Sequence, residues 1–145
     1  MNPHEPHPGK LVHVERMRMR WGDMDALGHM NNTVYFRYLE QARISWFDGI
    51  GRDCRTRAEG PILGSIVCRF VLPAVYPAEL EVTLVAGAPR RSTFSLHSEI
   101  RSHDDPRRVY ARAEALMVWI DLKAGKSRPL PEWMRALLPA STSDH

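Results

Sequence analysis

The sequence predicts an α+β domain in which one long helix lies against a five-stranded antiparallel sheet, with a short helix near the end. Three observations lead there. Only Thr33 to Ile50 carries apolar residues at helical spacing, five other segments are strand-like by alternation or by continuous apolar character, and no repeat, linker or low-complexity tract divides the chain. At 145 residues a chain removes roughly 70% of its unfolded surface from water, so one core forms without metal or disulfide staples. The expected organisation is a flexible leader over 1–10, a single domain over 11–139 and a flexible tail over 140–145.

The first strand ends near Trp21, where Arg16, Arg18 and Arg20 alternate with Met17, Met19 and Trp21, one polar face against one apolar face. A stretch rich in Gly, Asp and Asn, GDMDALGHMNN, follows as a turn. In the helix, Tyr35, Leu39, Ala42, Trp46 and Ile50 form the apolar stripe. Asn31, Asn32 and Thr33 are candidate caps at its start, and Gly49 and Gly51 suit its end. After the connector RDCRTRAEG, strands are expected at Ile62–Leu72, Leu80–Ala86, Ser92–Arg101 and Val109–Leu122, joined as a meander. The run ALMVWI at 115–120 marks the last strand as central and buried on both faces. PEWMRALL, with Pro131 in the first turn and Pro139 as a stop, reads as the short helix. One helix covers one face of such a sheet and leaves strand edges unpaired, so a homo-oligomer, dimer or tetramer, is expected.

Composition narrows the function classes. Twenty basic and 17 acidic residues give a net charge of +3, and 17 of the basic residues are Arg. That field is weak, and the Arg16–Arg18–Arg20 alternation is a solvated strand face, so no nucleic-acid partner is expected. The longest stretch free of charged residues, Ala26 to Phe36, is eleven residues, far short of the ~20 a membrane helix needs. With no apolar leader segment and with Cys54 and Cys68 lacking disulfide or zinc spacing, the expected compartment is the cytoplasm. His4, His7 and His13 fall in a Pro-rich leader read as disordered.

The turn before the long helix is where chemistry concentrates. Asp23 and Asp25 stand between a strand end and a helix N-terminus, with Gly22 and Gly28 letting the backbone turn tightly. A helix N-terminus offers unpaired N–H groups and a positive dipole end, which stabilise charge developing on a carbonyl oxygen. A carboxylate just upstream can attack the carbonyl carbon or activate water against it, which is acyl-transfer hydrolysis. On the residues alone the aspartates serve equally as turn-formers, and His29 as a general base or a solvated side chain. Asp23, Asp25 and His29 are also potential metal ligands, but nothing fixes their number or supporting shell, so no metal and no cofactor is expected.

The stretch Met19 to Gly51, MRWGDMDALGHMNNTVYFRYLEQARISWFDGIG, resembles the signature of the hotdog-fold acyl-CoA thioesterases of the 4-hydroxybenzoyl-CoA thioesterase family. Tyr76-Pro77, Arg90-Arg91-Ser92-Thr93, Asp121-Leu122 and Pro-Leu-Pro at 129–131 extend the likeness over nearly the whole chain. The resemblance implies a long helix wrapped by the sheet, dimers with active sites at the subunit interface, and an acyl-CoA substrate. It implies that Asp25 is the catalytic carboxylate, as nucleophile or general base, and that the oxyanion donor is the backbone N–H of Asn32. Asn32 stands where one branch has His and the aromatic-substrate branch has Tyr. His29 matches a His of the related plant acyl carrier protein thioesterases. Gly28, Asn31 and Tyr35 are placed at the substrate, and Arg90, Arg91 and Ser92 near the nucleotide of coenzyme A, where guanidinium forks suit phosphate oxygens. Glu40, in the position class another hotdog group uses, reads here as a surface charge. The expected function is hydrolysis of an acyl-CoA, with a fatty acyl group favoured by Gly-His-Met-Asn-Asn. An acyl carrier protein thioesterase and a non-catalytic acyl-CoA-binding protein are the alternatives.

Overall fold

A computed structural model describes residues 9–50 and 58–140; His4, His7, Gly51 and Cys54 lie outside them. Strand β1 (Lys10–Arg18) leads through a 3-10 turn (Trp21–Asp23) into α1 (Asn32–Gly49), followed by β2 (Glu59–Phe70), β3 (Glu79–Ala86), β4 (Thr93–Ser102), β5 (Val109–Asp121) and the short α2 (Glu132–Arg135). The five strands form one sheet in the order β1-β3-β4-β5-β2, every neighbour antiparallel. The α+β class and its elements are those expected from the sequence.

The meander is not. β2 pairs with β5 from Glu59↔Asp121 to Phe70↔Ala111 and occupies an edge, while β3 pairs with β1 and β4. The joining segment VLPAVYPA exceeds a hairpin turn, and Pro73 and Pro77 have no N–H to donate, so the chain crosses the sheet instead of folding back on β2. β4, not β5, is the middle strand. Nor is β5 buried on both faces: Ala111, Ala113, Ala115, Met117 and Trp119 turn inward and are buried, whereas Leu116 is 40% exposed. The apolar run reads through because Leu116, Val118 and Ile120 make a local apolar patch on the outer face.

Two further expectations are corrected. His13 is not in a disordered leader but inside β1, where its ring bonds Glu15 at 2.7 Å. Trp21 is 72% exposed, unlike buried Met19, because β1 ends at Arg18 and the 3-10 turn breaks the two-residue period. The core lies between α1 and the β1–β3–β4 half of the sheet: Leu39, Ala42 and Trp46 pack toward Leu80, Val82, Leu84, Phe94 and Leu96, with Trp46 edge-on to Phe94 at 6.2 Å. At the far end Trp119, fully buried, donates from Nε1 to Glu59 Oε1 at 2.9 Å and meets the Trp133 ring of α2 at 5.6 Å.

The outer face carries cross-strand ion pairs. Glu81 bonds His103 Nδ1 at 2.6 Å and accepts from Arg101 Nε at 3.2 Å, and its side chain is only 16% exposed. Burial works against its charge, but His103 and Arg101 outweigh burial and hold the carboxyl below its ordinary range. A carboxyl depressed in the folded state adds stability above its unfolded pKa and loses it as pH falls through the folded one. Glu81→Gln is therefore expected to cost about 1–2 kcal/mol at neutral pH, a difference that closes on acidification below about pH 4. Urea unfolding at pH 7 and pH 3 checks this; an equal loss at both pH values would contradict it.

Candidate active site

The Asp-rich turn is a closed miniature hairpin. Asp25 N–H donates to the His29 carbonyl at 2.9 Å and Asn31 N–H to the Asp23 carbonyl at 3.0 Å, bracketing a Met24–Met30 bridge. The tip closes through Gly28 N–H to the Asp25 carbonyl at 3.0 Å, with Gly28 at φ +77°, a backbone angle side chains resist. Asn31 then caps α1: its Oδ1 accepts from Thr33 N–H at 2.9 Å and from Thr33 Oγ1 at 2.6 Å. Among the described residues, Asn32 N–H takes no partner in the protein.

The two aspartates differ. Asp23 is tied down, its Oδ2 accepting from Arg20 N–H at 3.0 Å and from the Tyr38 hydroxyl. Burial, then the bond to Asp23, pushes the Tyr38 phenol well above its ordinary range, so it stays a donor. Asp25 is exposed, and its carboxylate accepts only a bond from Leu27 N–H, at 2.9 Å to Oδ1, among the described residues. One oxygen stays available for chemistry.

Asp25 opens onto a pocket of about 420 Å³ lined with it by His29, Asn31, Asn32, Tyr35 and the wall Phe70–Pro73. Tyr35 is 2% exposed and sets its ring edge-on to Phe70 at 5.2 Å, and its hydroxyl accepts from Ala74 N–H at 3.2 Å, bracing that wall. Its phenol is raised chiefly by burial. The pocket thus places a free carboxylate oxygen, a free helix-start N–H and an apolar wall together, which suits a carbonyl bearing a hydrophobic group.

Of the residues expected at the site, Asp25, His29, Asn31, Asn32 and Tyr35 converge here, with Gly28 shaping the turn. Arg90, Arg91 and Ser92 do not. They precede Thr93, which pairs with Val118, whereas Phe70 at the pocket pairs with Ala111; the two ends are about 20 Å apart along the sheet. There the Arg90 and Arg91 side chains are exposed, and their carbonyls accept from Arg135 Nη2 at 2.8 and 3.2 Å. Glu40 lies on the exposed side of α1, 3.7 Å from Arg37 and away from the pocket. Sequence reasoning passed over Val71–Pro73, read as strand end and turn, and Tyr38, whose place three residues after Tyr35 was a signal for the same buried helix face. Among the described residues no group of three or more His, Cys, Asp or Glu side chains gathers where it could hold a metal ion, and no helix is long and apolar enough to cross a membrane.

Comparison with known proteins agrees with this architecture. The family model described as the thioesterase-like superfamily matches residues 19–138. The PA2801 protein from Pseudomonas aeruginosa, a candidate thioesterase, is 38% identical and superposes with a TM-score of 0.83 over 88% of this chain and 98% of its own. A candidate acyl-CoA thioesterase from Xanthomonas campestris is 27% identical with a TM-score of 0.76, covering 83% of this chain and 100% of its own. Slr0204, a 1,4-dihydroxy-2-naphthoyl-CoA thioesterase from Synechocystis, shares the fold at 22% identity and a TM-score of 0.77, over 86% of this chain and 94% of its own. Among curated sequences, the uncharacterized protein YsmA of Bacillus subtilis (strain 168) is 27% identical over 82 residues, 57% of this chain. That match spans only about half of YsmA, 56%. By its family match and by the architecture it shares with these structures, the chain belongs to the thioesterase-like superfamily and has the hotdog fold.

Proposed function

We propose that this protein hydrolyses the thioester of an acyl-CoA, with Asp25 as the catalytic carboxylate and Asn32 N–H as the donor to the carbonyl oxygen. The observation that carries the reading is the pairing of an exposed, singly bonded carboxylate with a partnerless N–H at the start of α1, on one apolar-walled pocket. In hydrolysis, water oxygen adds to the carbonyl carbon with Asp25 taking its proton, or Asp25 adds first, expels the thiolate and forms a mixed anhydride whose acyl–oxygen bond water then breaks to free Asp25. The C–S bond breaks, and the proton taken from water passes to the departing thiolate. Charge gathers on the carbonyl oxygen at the addition step, where a helix-start N–H stabilises it. His29 and Asn31 border the same pocket and orient the substrate. The motif from Asp23 to Asn32 supports placement near the 4-hydroxybenzoyl-CoA branch, and the wall of Phe70, Val71, Leu72 and Pro73 supports a hydrophobic acyl group.

We place the working site at the interface of two copies in the cytoplasm. Edge strand β2 and the segment after it hold Ile62, Leu63, Val67, Phe70, Val71 and Leu72, each at least 40% exposed, an apolar edge a lone subunit leaves open. Antiparallel pairing of two β2 strands about a two-fold axis would set the Ile62 end of one copy beside the Phe70 end of the other. It would bring that copy's Arg90–Ser92 toward the pocket, which explains how residues about 20 Å apart in one chain could serve one substrate. Release of free thiol from a panel of acyl-CoA chain lengths and aryl-CoAs, beside the same acyl groups on acyl carrier protein, tests the reading. Tight acyl-CoA binding with no thiol release would replace it with the binding-protein alternative.

A further inference from the structure

We propose that Tyr38, acting through Asp23, is a positioning residue of this active site: its hydroxyl clamps the root of the Asp-rich turn to α1 and so sets Asp25 against the Asn32 N–H. The inference rests on the hydrolase reading for its kinetic consequence, but its geometry stands apart from it. Among the described residues, every hydrogen bond to Asp25 comes from within the turn itself: Leu27 N–H to Oδ1, Gly28 N–H to the carbonyl, and Asp25 N–H to His29. Among the described residues nothing outside 25–29 fixes Asp25 by hydrogen bonding, so its placement depends on how the turn as a unit is held.

The root of the turn is held at Met30, whose buried N–H donates to the Ala74 carbonyl at 2.8 Å, and at two points on Asp23, which join it to α1 and to the end of β1. The Asp23 carbonyl accepts from Asn31 N–H at 3.0 Å, joining the ascending side to the residue that caps α1. Its carboxylate Oδ2 accepts from Tyr38, two turns into α1 and 7% exposed. Arg20 N–H donates to the same oxygen at 3.0 Å, so the carboxylate also fixes where the chain leaves β1. Burial, then the adjoining carboxylate, pushes the Tyr38 phenol well above its ordinary range, so at neutral pH it remains a donor to Asp23. Loss of the Tyr38 hydroxyl would leave Asp23 its bond from Arg20 but no side-chain tie to the helix. The Asp25 oxygen and the Asn32 N–H would then drift relative to each other, and misplacement of about 1 Å costs up to about a hundredfold in rate.

Tyr38→Phe removes one oxygen and keeps the buried ring. It is expected to lower kcat about ten- to a hundredfold with KM within about twofold, because the pocket wall is untouched. Asp23→Ala, which also takes the acceptor from Arg20 N–H, should lose at least the same factor, and the double variant Tyr38→Phe/Asp23→Ala should be no worse than Asp23→Ala alone, since the Tyr38 hydroxyl then has no coupling left to lose. Asp23→Asn is the conservative rescue: both donors converge on one oxygen, which an amide carbonyl replaces, so its kcat should recover most of the Asp23→Ala loss. Wild-type kcat in folded Tyr38→Phe, additive losses in the double variant, or a loss confined to KM would each overturn the proposal. Amide hydrogen exchange reads the clamp without activity: Tyr38→Phe should speed exchange at Asp25 and Asn31 at least about tenfold while amides in β3 and β4 stay protected. Unchanged exchange would overturn the clamp even if the enzyme is active, whereas a wild-type protein that releases no thiol would overturn only the hydrolase reading.

Discussion

Asp25→Asn is expected to lower thioester hydrolysis by about 10²- to 10⁴-fold while leaving melting temperature and oligomeric state unchanged. The amide is isosteric with the carboxylate, and its carbonyl oxygen still accepts from Leu27 N–H as Asp25 Oδ1 does. The backbone bonds that close the turn, Asp25 N–H to His29 and Gly28 N–H to Asp25, do not involve the side chain. What is lost is the negative charge that attacks the carbonyl carbon or takes the proton of water. Steady-state thiol release from the best acyl-CoA of the panel measures the effect, and turnover within about fivefold of wild type, well short of the general-base contribution, would remove Asp25 from the mechanism. Borohydride trapping during a single turnover separates its two roles, because only a carboxylate that has formed the bond to the acyl carbon stands as a reducible mixed anhydride at Asp25.

How far such a site is legible without coordinates depends on what kind of information each residue carries. Asp25, Gly28, Asn31 and Asn32 are local in sequence, and a turn joined to a helix start is built from local hydrogen bonds, so their convergence follows from spacing. Tyr38 was missed because its tie to Asp23 spans 15 residues and its hydroxyl sits on a helix face made mostly of apolar and aromatic side chains. A periodicity argument counts the ring and overlooks the oxygen. The crossover after β2 is harder still. Alternation tells which residues face inward but is the same whichever neighbour a strand pairs with, so VLPAVYPA looked like a long hairpin loop rather than a crossing. Leu116 illustrates the same limit: its neighbours are all apolar, and only the sheet's outer face reveals that it is exposed.

Ile62→Arg/Val67→Arg is expected to weaken self-association at least about a hundredfold, with hydrolysis falling in step with the remaining dimer. Both side chains lie on edge strand β2 and are exposed, 41% and 63%, in the single chain, so the folded subunit tolerates charge there. Their cross-strand partners within the chain, Val118 and Glu114, sit on β5 and leave the opposite edge of β2 free. In a two-fold interface each substitution appears twice, so two changes bring four like charges to one seam, and like charges opposite each other across strands destabilise pairing. Sedimentation across a concentration series reads the association. Activity at matched concentrations then decides what the interface does. If a site in one subunit needs the Arg90–Ser92 end of the other, monomers lose turnover on acyl-CoA, whereas the Asp25 turn, built from residues 20–38 and Ala74 of its own chain, keeps its geometry. A variant that dissociates yet retains full turnover would place the whole site in one subunit. One that stays associated would move the interface away from β2, and the exposed apolar edge from Ile62 to Leu72 would need another cover.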